Sequence, residues 1–117
     1  MKIREIKDLL GAELLCGEEY LDNDVHSACC SDMMSDVLAY VKDHGVLLTG
    51  LSNAQVIRTA NMMDMVCIVF VRSKAPTEEM LSIARDNGIV ILSTDKTLYE
   101  SCGILYSNGL INQPKKR

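Results

Sequence analysis

Hydroxyl, amide and basic side chains gather in three short stretches of this chain: Thr49-Gly50-Leu51-Ser52-Asn53, Arg72-Ser73-Lys74 and Ser93-Thr94-Asp95. Side chains of these types, brought together, can hold an anion. Thr49, Ser52 and Asn53 offer hydroxyl and amide groups beside a helix start, and Gly50 lets a ligand approach the backbone closely. Arg72 and Lys74, flanking Ser73, supply positive charge. Thr94 and Asp95 would line the third side, Asp95 being suited to a ligand hydroxyl. Each residue also has an ordinary structural role. Capping alone explains Ser52 and Thr94, capping is the commoner use of Asp95, and cations in turns are commonly just solvated.

The elements that must position these stretches follow from the flanking pattern. Each stretch comes after an apolar run, 46–49, 65–71 and 89–92, and precedes an amphipathic segment. Residues 65–71 are apolar on both parities, as in a strand covered on both faces. Strand–turn–helix repetition with short connections predicts right-handed crossovers and a mainly parallel sheet. The three turns then meet at one sheet edge, where α/β proteins bind ligands. The expected fold is a single α/β domain in three layers, with a mainly parallel central sheet and helices on both faces.

Local signals fill in the rest. Ile3, Ile6, Leu9 and Leu10 share a helical face that Gly11 closes. Residues 13–16 and 25–29 read as strands. Ser31 or Asp32 caps a helix with a stripe of Met33, Met34, Val37, Leu38 and Val41, ended by His44-Gly45. Ser52 with Gln55 fits a capping box and starts a helix at Asn53, with Val56, Ile57, Ala60 and Met63 on its apolar face. Pro76 suits the first position of the next helix, which buries Met80, Leu81, Ile83 and Ala84. Thr94 or Asp95 caps a last helix to about Cys102. Gly103 opens a short extended piece, with a tail over 107–117.

Composition narrows the function classes. The chain has 117 residues, 48% of them apolar, and a formal net charge of −4. The acidic balance argues against a general nucleic-acid binder, which needs a basic face. Lys115-Lys116-Arg117 is the one basic cluster and reads as a solvated tail, while few aromatics are present for base stacking. No apolar run is long enough to span a membrane, and the start lacks the apolar segment of a signal peptide, so a cytoplasmic location is expected. The five cysteines are then thiols. Cys67 reads as core; Cys16 and Cys102 lie near element ends. Adjacent Cys29 and Cys30 point to opposite faces of a strand and look placed for oxidation. His26 and His44 complete no ligand spacing with them, so neither a metal nor a cofactor is expected.

Residues 49–60, Thr49-Gly50-Leu51-Ser52-Asn53-Ala54-Gln55-Val56-Ile57-Arg58-Thr59-Ala60, resemble the DRTGG domain family. So do Asp32-Met33-Met34-Ser35-Asp36-Val37-Leu38-Ala39 and Val69-Phe70-Val71-Arg72-Ser73-Lys74-Ala75-Pro76. The likeness runs from about Val25 to Leu98, with a core of about residues 25–103. The literal Asp-Arg-Thr-Gly-Gly string is absent, and Arg72-Ser73-Lys74 stands where many members carry a glycine pair. The resemblance implies a fold similar to the N-terminal domain of HPr kinase/phosphorylase. In larger proteins such domains accompany phosphotransacetylase or CBS-domain pyrophosphatase modules as regulatory and dimerising units. Stand-alone members often accompany bacterial hydrogenase and anti-sigma-type kinase proteins, so a partner from such a system is implied.

Two functional readings follow. In the first the chain is a non-catalytic regulatory and dimerisation module that binds a small anionic, nucleotide-like ligand or a protein partner. Its Met-rich segments, Met33-Met34 and Met62-Met63, would help form a homodimer. In the second it is a small transferase-type enzyme using the turn edge. No reactive residue pair is visible, and the phosphate loop G-x-x-x-x-G-K-[ST] is absent, which favours the first.

Overall fold

The computed structural model describes residues 1–39 and 44–112. Helix α1 spans Ile3–Leu10 and strand β1 Glu13–Cys16. A 3-10 turn, Glu18–Tyr20, leads to β2, Ser27–Cys30, and the short α2, Met34–Val37. Then come β3 Gly45–Thr49, α3 Ala54–Met62, β4 Met65–Phe70, α4 Glu78–Asp86, β5 Val90–Ser93 and α5 Leu98–Ser107. The strands form one sheet in the order β1-β5-β4-β3-β2. β2, β3, β4 and β5 are parallel neighbours, and β1 joins the outer side of β5 antiparallel.

This order fixes where the helices go. Successive parallel strands step across the sheet in one direction, so right-handed crossovers put α2, α3 and α4 on the same face. Val37, Val56, Ile57, Ala60, Met80 and Ala84 pack there against Leu47, Ile68, Phe70 and Ile91. The other face is covered by the two terminal helices. Ile3, Ile6 and Leu10 of α1 and Leu105 of α5 cover Val46, Leu48, Cys67, Val69, Val90 and Leu92. Strand residues therefore alternate between two cores, as a doubly buried sheet requires.

The three central strands lie where the apolar runs place them, with ends displaced by about one residue. The caps differ more. Asn53, not Ser52, caps α3 by accepting from the Val56 N–H, so the helix begins at Ala54. Pro76 lies outside α4, which Thr77 caps. Neither Thr94 nor Asp95 caps α5: Thr97 and Glu100 form its capping box. Gly103 is inside that helix, which runs on to Ser107. The flat apolar surface that α5 must cover outweighs the helix cost of one glycine, about 1 kcal/mol.

On α2 the helix is shorter than its stripe suggests. Met33 stands at its N-cap position without a side-chain cap, and the Ser31 hydroxyl accepts from the Met33 N–H in a local turn. Met34 and Val37 are buried, whereas Met33 is exposed. Val41 and the basic cluster 115–117 lie outside the described residues. His44-Gly45 does not close α2: Gly45 opens β3, and His44, in a left-handed conformation, pairs with Asp64 at 3.7 Å.

Ile68 sits in the central strand with no exposed surface. Ile68→Ala should lower unfolding stability by about 2–5 kcal/mol, read as a reduced midpoint in urea with an unchanged slope.

Candidate functional site

The carboxyl ends of β3, β4 and β5 do lie side by side, tied by backbone hydrogen bonds between their turns. The Val71 N–H donates to Thr49 O at 3.1 Å, the Ser73 N–H to Thr94 O at 2.8 Å, and the Arg72 N–H to Lys96 O at 2.8 Å. Arg72 and Ser73 are both in the left-handed region, at φ 57° and 56°. A side chain there costs roughly 1 kcal/mol or more per residue, so this is the most strained stretch of the edge. The glycine pair common in similar sequences would adopt it without that cost. The two turn-to-turn hydrogen bonds hold the strained conformation.

Within this edge the sequence-predicted residues separate into two groups. Thr49, Gly50 and Arg72 converge on Asp32, which enters from the turn after β2. One Asp32 carboxylate oxygen accepts from the Gly50 N–H at 2.6 Å and from the Thr49 hydroxyl at 3.2 Å. The other lies 3.8 Å from the Arg72 guanidinium. A Cβ at position 50 would meet that guanidinium, so a larger residue there would push the Arg72 side chain away from Asp32. Thr49 is fully buried, whereas the Asp32 and Arg72 side chains are each about half exposed, at 50% and 53%. The donors expected to face a ligand thus already hold a carboxylate of the chain itself.

Ser73, Lys74, Thr94 and Asp95 line a separate cleft of about 360 Å³, together with Gly11, Glu13 and Ser93. Thr94 is buried, and its hydroxyl donates to Leu10 O at 2.8 Å, tying the end of α1 to the sheet. Ser93 donates to Lys74 O at 3.2 Å. Lys74 and Asp95 are exposed, and among the described residues neither has an ion-pair partner. Ser52 and Asn53 belong to neither group: Ser52 donates to Ala75 O at 3.3 Å, and Asn53 caps α3.

The backbone contributes less than the sequence suggests. The Gly50 N–H serves Asp32, the Leu51 N–H serves the Thr49 hydroxyl, and the Lys74 N–H serves Val71 O. Side-chain charge for an outside anion comes from Arg72 beside Asp32 and from Lys74 in the cleft. Asp32 is the residue that sequence reasoning missed as a site residue. Its position as a possible cap just past β2 was the available signal. A polar residue after a parallel strand faces the same edge as those after β3, β4 and β5.

A second, larger cavity of about 560 Å³ is lined by residues of β2, α2 and α5. Cys30 and Cys102 are on its wall, their sulfurs 2.7 Å apart. Cys30 therefore faces Cys102. Cys29 points to the opposite face and is buried, as strand alternation demands.

Comparison with family models matches the DRTGG domain over residues 5–107, wider than the stretch where the resemblance is visible by eye. A search of curated proteins gives no match. Among solved structures, the CBS and DRTGG domains of the regulatory region of Clostridium perfringens pyrophosphatase, complexed with the activator diadenosine tetraphosphate, superpose with a TM-score of 0.74. Sequence identity is 15%; the match covers 97% of this chain and 47% of that one, so this chain spans about half of that structure's length.

Ser73→Gly removes a left-handed side chain at an exposed position. Stability should rise by about 0.5–1 kcal/mol, less than the full strain because glycine also loosens the unfolded chain; urea unfolding measures it.

Proposed function

Because the chain belongs to the DRTGG domain family, we propose that it is a non-catalytic regulatory module that binds a small anionic, nucleotide-like ligand at the carboxyl edge of its sheet and works as a homodimer. The observation that carries this reading is the convergence of the Gly50 N–H, the Thr49 hydroxyl and the Arg72 guanidinium on one carboxylate, that of Asp32. This is a cradle for negative charge at the sheet edge, closed by a half-exposed acidic side chain. A phosphate or carboxylate that displaces Asp32 gains Arg72 and reaches toward Lys74. Asp32 lies two residues ahead of α2, so its release frees the entry to that helix. That couples occupancy of the edge to a movable surface, which is what a regulatory module needs.

The hydroxyls support a non-catalytic role. Those of Ser52, Ser93 and Thr94 donate to backbone carbonyls, which cannot take up a proton, and that of Thr49, which donates to the Asp32 carboxylate, is fully buried away from any substrate. The solved regulatory region of the same fold carries a nucleotide activator, which suggests the ligand class to try first. Exposed Met33 and Met62 beside buried Met34 and Met63 supply apolar surface for a second subunit. A partner protein, of the hydrogenase or anti-sigma-type systems that accompany similar chains, would read the ligand state.

A thermal-shift panel of nucleotides and phosphorylated metabolites should contain a compound that raises the melting temperature. Arg72→Ala and Lys74→Ala should each weaken that ligand about tenfold, and Asp32→Asn should bind it more tightly than the parent chain. An unchanged affinity in both cation variants at low salt would place the ligand elsewhere. Turnover of the ligand, lost in Asp95→Asn, would instead favour the transferase reading.

Light scattering at high micromolar concentration should give twice the 13.0 kDa chain mass. A monomer under those conditions would refute the dimer.

A further inference from the structure

The chain carries a thiol pair that the ligand-edge reading does not use. Cys30 ends the outermost parallel strand, β2, and Cys102 lies one turn into α5. They are 72 residues apart in sequence, yet their sulfurs approach to 2.7 Å, closer than non-bonded sulfurs ordinarily rest. Cys30 is exposed, Cys102 is half-buried, and both line the 560 Å³ cavity, which gives small solutes a route to them. The other three cysteines are placed differently. Cys16, Cys29 and Cys67 are all buried, with Cys16 donating to Ile89 O and Cys67 fully enclosed.

We propose that Cys30 and Cys102 form a reversible disulfide, a redox site that fastens α5 to the edge strand. The oxidant is a hydroperoxide. The thiolate of one sulfur attacks the peroxide oxygen, the O–O bond breaks, and alkoxide or hydroxide leaves and takes up a proton. The sulfenic acid formed is attacked by the other sulfur, which loses its proton as the S–O bond breaks and water leaves. Two thiols and one hydroperoxide give one disulfide, one alcohol and one water; the pair loses two electrons and two protons.

The environment makes one thiolate available at the pair. The two sulfurs share a proton, which favours a thiolate on one of them and keeps the other protonated. One sulfur thus attacks and the other resolves. Burial pushes the Cys29 and Cys67 thiols up, which keeps them out of the reaction. Because the bond closes a long loop, oxidation should stiffen the contact between α5 and β2 and raise thermal stability.

The test uses the full chain, reduced with dithiothreitol, desalted, and treated with a small excess of hydrogen peroxide. Mass spectrometry should show loss of two hydrogens per chain, one cross-linked peptide joining Cys30 to Cys102, and full reversal by dithiothreitol. The melting temperature of the oxidised chain should rise by about 5 °C or more. Cys30→Ala should instead accumulate oxidised Cys102 without an internal bridge. Mapping needs only the parent chain, so a poorly folding variant leaves the test intact. Sulfinic acid at Cys102 with free Cys30, a bridge involving Cys29, or bridges only between chains would each overturn the proposal.

Discussion

The structure depends on one constraint: a parallel sheet buried on both faces must be covered on both, and consecutive crossovers here cover only one. β2, β3, β4 and β5 follow each other across the sheet without reversal. Right-handedness then sends α2, α3 and α4 to the same side. The opposite side, with Val46, Leu48, Val69 and Leu92, is left to the two ends of the chain. α1 and α5 therefore pack together there, although nearly the whole sequence lies between them. The antiparallel β1 follows from the same need, because the chain leaves α1 and must run back along the free side of β5.

This arrangement also places the polar features. Thr94 is drawn beneath the end of α1, and its hydroxyl answers Leu10 O rather than a ligand. The turn after β4 is pinned on both sides by its neighbours, which lets Arg72 and Ser73 persist in a conformation usually left to glycine. That turn carries Arg72 over Gly50 to Asp32. The edge is therefore a linked set of short contacts in which strain at one turn is held by hydrogen bonds from two others.

Two chemically different regions result. The carboxyl edge gathers charge: Asp32, Arg72, Lys74 and Asp95 stand near buried hydroxyls whose hydrogen bonds are satisfied. The cavity between β2, α2 and α5 gathers sulfur and apolar surface, with Cys30, Cys102 and Tyr106 on its wall. Cys30 and Asp32 stand two residues apart on the exit from β2. One short segment thus joins the thiol pair to the anion cradle, and a change at either region bears on the start of α2.

Periodicity in the sequence determined the helical face of Ile3, Ile6 and Leu10, the three central strands and their parallel direction. These are local consequences of burial: a short apolar run bounded by turn residues and rich in Val and Ile fits a strand covered on both faces, and short polar turns between such strands and helices favour right-handed crossovers. The nearness of the three turns followed from that alone. The caps were less legible, since Ser52, Thr94 and Asp95 are as suited to capping as Asn53 and Thr97, and only the packing angle of each helix selects among them. Tertiary structure alone decided that Asp32 would occupy the cradle of Thr49, Gly50 and Arg72, splitting the expected site in two. It alone brought Cys30 to Cys102. Both are long-range meetings, set by which helix covers which face, and no spacing along the chain records them.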